Sequence, residues 1–320
     1  MKENIADKLL ECIDKKVNPC IVGLDPALEQ IPEHLKKSKD RNSFETVRDV
    51  IIEFNKLIIN AVEDIVPAVK IQTAFYEAYG SRGMEALEET IRYAKNKGLI
   101  VIEDAKRNDI GNTAKAYAEG HLGKVSLIDG TLKPSLDVDM ITVNPYLGSD
   151  SIEPFIEACK EYEKGIFILA KTSNKSSREI QNKTTKKGKT IYETVAQYID
   201  KAGKDMIGKR GYSAIGAVVG ATYPREAKKL RKQMPNTIFL VPGYGAQGGK
   251  AKDITHCFNS DGYGAIISSS RGIIFAYKEE PYKSMFCPEE FYMASRKAAK
   301  DMSIDIIKNL EKQNKLPKGW

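Results

Sequence analysis

The run Glu103-Asp104-Ala105-Lys106-Arg107-Asn108-Asp109 places three carboxylates and two cations in seven positions, directly after the apolar stretch that begins at Leu99. Side chains two apart on an extended strand share a face, so Asp104 and Lys106 point together while Glu103 points away. Lys70 lies within Ala68-Val69-Lys70-Ile71, enclosed by apolar neighbours. A buried ammonium needs a carboxylate partner, and on a neighbouring strand Asp104 would supply it. Alternating charges paired in this way are rarely kept for stability alone. They suit a reaction in which a fixed cation meets a developing negative charge and then delivers a proton. The plainer reading of the same residues is a surface salt-bridge cluster, common in a chain that is 29% charged and worth little energetically.

A second constellation is suited to an anion. Pro242-Gly243-Tyr244-Gly245-Ala246-Gln247-Gly248-Gly249 follows one apolar run, and Ser268-Ser269-Ser270-Arg271-Gly272 follows the next. Glycines let backbone N–H groups approach a phosphate closely, and arginine offers it a planar fork. Gly23-Leu24-Asp25-Pro26 places a carboxylate where it could accept hydrogen bonds from sugar hydroxyls or simply cap a turn. Lys171-Thr172-Ser173-Asn174 offers a row of side chains able to hydrogen-bond a planar heterocycle.

The elements that must position these residues repeat eight times. Short Val/Ile-rich runs read as buried strands at Cys20 to Asp25, Ala68 to Thr73, Leu99 to Asp104, Met140 to Asn144, Ile166 to Lys171, Ala214 to Gly220, Ile238 to Pro242 and Ala265 to Ser269. Helical periodicity fills most of the intervals: Phe44 to Ile65, Met84 to Lys97, Ile152 to Glu163, Ile191 to Ile207, Arg225 to Met234 and Glu289 to Leu310. No linker or composition break divides residues 1–320, so the expectation is a single α/β domain with parallel strands, a closed (β/α)8 TIM barrel rather than an open doubly wound sheet. Such barrels carry their chemistry at the C-terminal ends of the strands and bind phosphate after the seventh and eighth, where the motifs above fall. His121 to Val138 and the basic stretch Asn174 to Lys189 fit the repeat poorly.

Composition excludes several classes. The 50 Lys and Arg are interspersed with 43 Asp and Glu, and the densest basic stretch, Asn174 to Lys189, has no aromatic on which a base could stack, so the chain's net charge of +7 reads as solvated surface rather than a nucleic-acid face. Five scattered cysteines and three isolated histidines match neither a disulfide framework nor a transition-metal site. No apolar run approaches the roughly 20 residues of a membrane span, and the charged, amphipathic N-terminus does not fit a signal peptide, so the expected location is the cytoplasm.

Taken together, Gly23-Leu24-Asp25-Pro26, Lys70, Asp104-x-Lys106-x-x-Asp109-Ile110-Gly111-Asn112-Thr113, Pro242-Gly243-x-Gly245-Ala246-Gln247-Gly248-Gly249 and Ser270-Arg271-Gly272 resemble the orotidine 5′-phosphate decarboxylase family, in its longer branch. The resemblance implies a cofactor-free and metal-free enzyme that converts orotidine 5′-monophosphate (OMP) to UMP, with Lys70, Asp104, Lys106 and Asp109 as the catalytic charge network and Lys106 as proton donor to C6. It implies a homodimer in which Asp109 and Thr113 reach the partner's site. Asp25 and Thr113 would hold the ribose and Ser173 the pyrimidine, with Gln72 and Ile110 also at the substrate. Gln247, Arg271 and the backbone at Gly272 would grip the phosphate. Gln72 is a departure, because some relatives carry Asn there. Gln247 and Asn174 to Lys189 are the segments expected to close over the site.

Three rival readings carry their own chemistry. A Schiff-base aldolase would need an uncharged lysine, whereas Asp104 and Asp109 flank Lys106. A Mg-dependent sugar-phosphate decarboxylase or synthase of the same superfamily would share Asp-x-Lys-x-x-Asp but need a carboxylate setting where Lys70 stands. A non-catalytic nucleotide- or RNA-binding barrel would not require all four charged residues.

Overall fold

The computed structural model describes residues 3–37, 42–245 and 248–320. The described residues form ten strands: β1 (Cys20–Leu24), β2 (Ala68–Ile71), β3 (Ile100–Arg107), β4 (Lys124–Ser126), β5 (Leu132–Pro134), β6 (Met140–Val143), β7 (Gly165–Lys171), β8 (Ser213–Val219), β9 (Thr237–Pro242) and β10 (Ala265–Ser269). Eight of them close a parallel barrel in the order β1-β10-β9-β8-β7-β6-β3-β2. The eight expected strands are these eight, each within a few residues of its expected bounds. The expected TIM barrel is the observed fold.

Two apolar layers hold the barrel. Outward residues such as Val22, Val69, Val101 and Ile141 pack against the ring of helices, while Ile21, Ile100, Ile102, Met140, Phe167, Ile238, Leu240 and Ile266 fill the interior. Gly216 is small because a Cβ there would meet the Phe167 ring at 2.4 Å. The interior is therefore filled by side chains below the mouth, and a cavity opens at the strands' C-terminal ends.

The N-terminal helix Ile5–Lys16 was not anticipated as an element, and it closes the other end. Ile5, Ala6, Leu9, Leu10 and Ile13 join the interior layer like a stopper. Asn4 caps the helix by accepting from the Ala6 N–H at 2.8 Å. Asp7 accepts from the Lys209 and Arg210 N–H groups at 2.8 and 2.9 Å, which ties the stopper to the β8 side.

The long expected helix at Phe44 runs to Val62 rather than Ile65, because Pro67 disfavours helical backbone just before it. Helix Ile191–Gly203 begins on a Thr190/Glu193 capping box. The irregular stretch His121 to Val138 contains the antiparallel hairpin β4–β5, which stands outside the barrel. No helix among the described residues is long and apolar enough to cross a membrane.

Candidate active site

A cavity of about 420 Å³ opens at the C-terminal ends of the barrel strands, and its charged wall is built by β1, β2 and β3. Alternation along β2 turns Ala68 and Lys70 inward, and along β3 it turns Ile100, Ile102 and Asp104 inward. Lys70 Nζ donates to Asp104 Oδ2 at 2.9 Å and lies 3.7 Å from Asp25 Oδ1. Lys106 Nζ donates to Asp104 Oδ1 at 2.6 Å. The result is a chain of alternating charge, Asp25, Lys70, Asp104, Lys106, with all four residues lining the cavity.

Asp104 is the centre of that chain. Besides the two ammonium groups it accepts from Gln72 Nε2 at 3.2 Å and from the Thr142 hydroxyl at 2.9 Å. Burial opposes its charge, but Lys70 and Lys106 outweigh burial and hold the carboxyl far below its ordinary range. For Lys70, burial again opposes the charge, and Asp104 and Asp25 reverse the effect and raise its pKa. Asp25 Oδ1 is buried beside Lys70 Nζ and receives no hydrogen bond among the described residues.

Lys106 reaches Asp104 by a route different from the expected one. The same-face reading assumed an extended strand, yet Lys106 has φ of +49° and β3 loses register with β6 between Glu103 and Arg107. Both side chains still line the cavity, because the irregularity re-aims Lys106. Its side chain is 45% exposed, so its charged end is open to whatever occupies the cavity.

Glu103 points to the opposite face, as expected, and is fully buried there. It accepts from the Thr73 hydroxyl at 3.0 Å and lies 2.7 Å from His121 Nδ1. Arg107 joins this group through His121 Nε2 at 3.4 Å and through Glu77. Neither His121 nor Thr142 was singled out from the sequence. A lone histidine, and a threonine in a strand, carry no local mark of a polar partner far along the chain.

The opposite wall comes from β7, β8, β9 and β10. Leu169, Val218 and Leu240 make an apolar floor, and Thr172, Ser173 and Asn174 rise beside it. Lys171 is turned away. A register shift between Leu169 and Lys171 sends it into the outer layer, where Nζ donates to Ser177 Oγ at 2.8 Å and Asn182 Oδ1 at 2.9 Å and sits 4.4 Å from the Tyr223 ring centre. The stretch Asn174 to Lys189 is mostly exposed, as a solvated loop should be, but it is fastened at this buried post.

Pro242, Gly243, Tyr244, Ser268, Ser269, Ser270 and Arg271 complete the rim. Gly243, Gly245 and Gly248 have φ of +99°, +69° and +88°, so this turn needs glycine. Arg271 is exposed and its side chain makes no hydrogen bond or ion pair among the described residues, with Gly272 exposed beside it. Gln247 lies outside the described residues.

Asp109, Ile110 and Thr113 are not brought to this cavity. Asp109, half-buried, and Ile110, exposed, lead into helix Gly111–His121, whose first turn carries the exposed Thr113, and Asp109 Oδ1 accepts the Ile110 N–H at 2.8 Å.

The chain has relatives among known proteins. The family model described as "Orotidine 5'-phosphate decarboxylase / HUMPS family" matches residues 19–283. Orotidine 5′-phosphate decarboxylase of Caldicellulosiruptor saccharolyticus is 41% identical over 306 residues, 95% of this chain and 99% of that protein. The protein of the same name from Rhodopirellula baltica is 46% identical over 261 residues, covering 82% and 85%. Among solved structures, Leishmania donovani OMP decarboxylase superposes with a TM-score of 0.71 at 28% identity, covering 96% of this chain and 98% of that one.

Proposed function

We propose a mechanism for a chain that belongs to the orotidine 5′-phosphate decarboxylase / HUMPS family and that decarboxylates OMP to UMP in pyrimidine synthesis. The observation that carries the mechanism is the continuous Asp25, Lys70, Asp104, Lys106 charge chain lining one cavity.

Loss of CO₂ from C6 leaves a carbanion with no carbonyl positioned to delocalise it. Fixed protein charge must meet that demand. The Lys106 ammonium stabilises the developing charge and then donates its proton to C6. Asp104 stands beside the departing carboxylate; two like charges about 4 Å apart repel by roughly 4 kcal/mol at an effective dielectric near 20, and neutral CO₂ removes that repulsion. Preorganised stabilisation by Lys106 is the larger contribution, since the donor is already held at 2.6 Å from Asp104 before substrate arrives. Lys70 keeps Asp104 ionised and fixed. Lys70 Nζ also occupies the space between Asp25 and Asp104 that a bound cation would need, which disfavours a metal-dependent reaction.

The rest of the cavity suits the remainder of the nucleotide. Asp25 accepts from ribose hydroxyls at the cavity wall, Ser173 contacts the pyrimidine and Gln72 braces Asp104. Arg271, the backbone at Gly272 and Gln247 take the phosphate, whose binding energy draws Asn174 to Lys189 over the site.

A homodimer completes the site, with Asp109 and Thr113 entering the partner's cavity and Ile110 covering it. The support is the exposure of Ile110 and Thr113 together with Leu127, Ile128, Leu132, Tyr146 and Leu147, large apolar side chains on the adjoining hairpin and the loop after β6. Such a patch favours a protein contact. The location is the cytoplasm, where this nucleotide chemistry needs no export.

The test is loss of OMP absorbance by EDTA-treated protein beside Lys106→Ala. Metal-independent conversion abolished in the variant is the expected result; a folded wild-type protein that leaves OMP unchanged would sink the reading. Mixing Lys106→Ala with Asp109→Ala should restore about a quarter of wild-type activity, because half of randomly reassorted dimers regain one intact site. No recovery would place Asp109 outside the partner's cavity.

A further inference from the structure

We infer that Thr142 is a positioning residue for the proton donor, one hydroxyl holding both the backbone of Lys106 and a carboxylate oxygen of Asp104. The inference rests on the decarboxylase reading and extends it to a residue that does not touch substrate.

The pairing of β3 with β6 explains why such a clamp is needed. Glu103 pairs with Ile141 and Arg107 with Val143, so Asp104, Ala105 and Lys106 all stand opposite the single residue Thr142. A strand with surplus residues buckles and leaves backbone groups without ladder partners. Thr142 fills the gap with its side chain. Its Oγ1 accepts the Lys106 N–H at 2.9 Å and donates its only proton to Asp104 Oδ1 at 2.9 Å. Donation to the carboxylate leaves the oxygen's lone pairs free for the Lys106 N–H, so each bond orients the other.

The clamp acts on a strained residue. Lys106 is held at φ of +49°, a conformation that a side chain with a Cβ adopts only when its surroundings impose it. Just beyond, the Asn144 N–H donates to the Arg107 carbonyl at 2.9 Å and pins the far end of the buckle. Without the Thr142 hydroxyl, Lys106 loses the acceptor on its own N–H and can relax toward extended backbone, which swings Nζ away from Asp104. Thr142 is 1% exposed and does not line the cavity, so its removal leaves the substrate-contacting surface in place.

Thr142→Val keeps the shape and removes the hydroxyl; Thr142→Ser keeps the hydroxyl. For Thr142→Val, kcat on OMP is expected to fall about 10- to 100-fold, the scale of an ångström-level misplacement of a reacting group. KM for OMP and Kd for UMP should stay within about twofold and Thr142→Ser within about threefold of wild type, as expected when positioning rather than binding is lost. Thr142→Ala removes the same hydroxyl and should show the same kcat defect even if the valine variant fails to fold. A crystal structure of the valine or alanine variant should show Lys106 out of the left-handed region and its Nζ farther from Asp104. Wild-type kcat in the variants, or an equal loss in Thr142→Ser, overturns the inference. Wild-type protein inactive on OMP would overturn the decarboxylase reading instead, and the position of Lys106 in the variant crystals would still decide whether Thr142 is its clamp.

Discussion

Lys70 and Lys171 are both buried at the C-terminal end of the barrel, on opposite walls, and their surroundings are opposite in kind. Lys70 points inward and meets two carboxylates, Asp104 at 2.9 Å and Asp25 at 3.7 Å. Lys171 points outward and meets a serine, an asparagine and the face of Tyr223, with no carboxylate within ion-pair distance among the described residues. Burial opposes the charge at both places. At Lys70 the carboxylates reverse its effect and raise the pKa; at Lys171 burial prevails and lowers it. The difference separates a charge maintained for chemistry from a charge used as a fastening. Around Lys70 the field itself is the product, because it keeps Asp104 ionised beside Lys106. Around Lys171 the product is a wall. Ser177 and Asn182 are drawn to it, Gln181 Oε1 accepts the Thr172 N–H at 3.0 Å, and the Thr222 hydroxyl donates to the Ser173 carbonyl at 2.9 Å. Thr172, Ser173 and Asn174 are thereby presented to the cavity as a set.

The contrast predicts a large effect at one lysine. Lys70→Met strands Asp104 and Asp25 as buried carboxylates short of a cation, and breaking such a pair from one side costs about 3–5 kcal/mol. Denaturant titration should show that loss, and kcat on OMP should fall about 10²- to 10³-fold, as when one preorganised donor is removed from a charge-stabilising site. A variant with wild-type stability and turnover would mean that Asp104 does not depend on Lys70.

The other lysine should give a smaller and different result. Lys171→Met retains the apolar stem and removes two hydrogen bonds and two cation–π contacts, to Tyr223 and Tyr192, while relieving an unpaired buried charge; these offset one another, and global stability should change by no more than about 1 kcal/mol. The loop should loosen, seen as faster tryptic cleavage at Arg178 or Lys183. KM for OMP should rise about fivefold with kcat near wild type, the pattern of lost uniform binding. A fall in kcat as deep as that of Lys70→Met would erase the distinction.

The sequence reveals the two lysines unequally, for a physical reason. Strands of a parallel barrel are covered on both faces and read as short apolar runs, so all eight were legible and a charge inside one, Lys70, stood out. Lys171 also sits in such a run, and strict alternation would aim it into the cavity beside Leu169; the register shift that diverts it leaves no trace in composition. The left-handed turn at Lys106 is hidden in the same way, and with it the use of Thr142. The stopper helix Ile5–Lys16 is legible as an amphipathic stretch but not as a plug, because its partners lie on strands throughout the chain. Asp109, Ile110 and Thr113 were recognisable by motif, but a motif gives the residue and not the distance, and within one chain they stay outside the cavity.

The smallest expected effect is in the pH dependence of stability, where the two lysines should carry opposite signs. Stability rises with pH wherever the unfolded chain binds more protons than the folded one. Lys171 has a folded pKa below its ordinary 10.5, so between those two values the unfolded chain holds the proton and the folded chain does not. Wild type should therefore gain stability relative to Lys171→Met as pH rises toward 10.5. Lys70 has a folded pKa above 10.5, so its contribution is fully present below that value and lost as pH climbs through the raised one. Asp104, with its pKa depressed below the ordinary 3.8, stabilises above that value and loses its contribution as pH falls toward the depressed one. Urea midpoints for wild type, Lys70→Met and Lys171→Met from pH 8 to 11 would read both lysine trends. Parallel curves for the two variants would show that the same environment governs both lysines, and the division between working charge and fastening would fall.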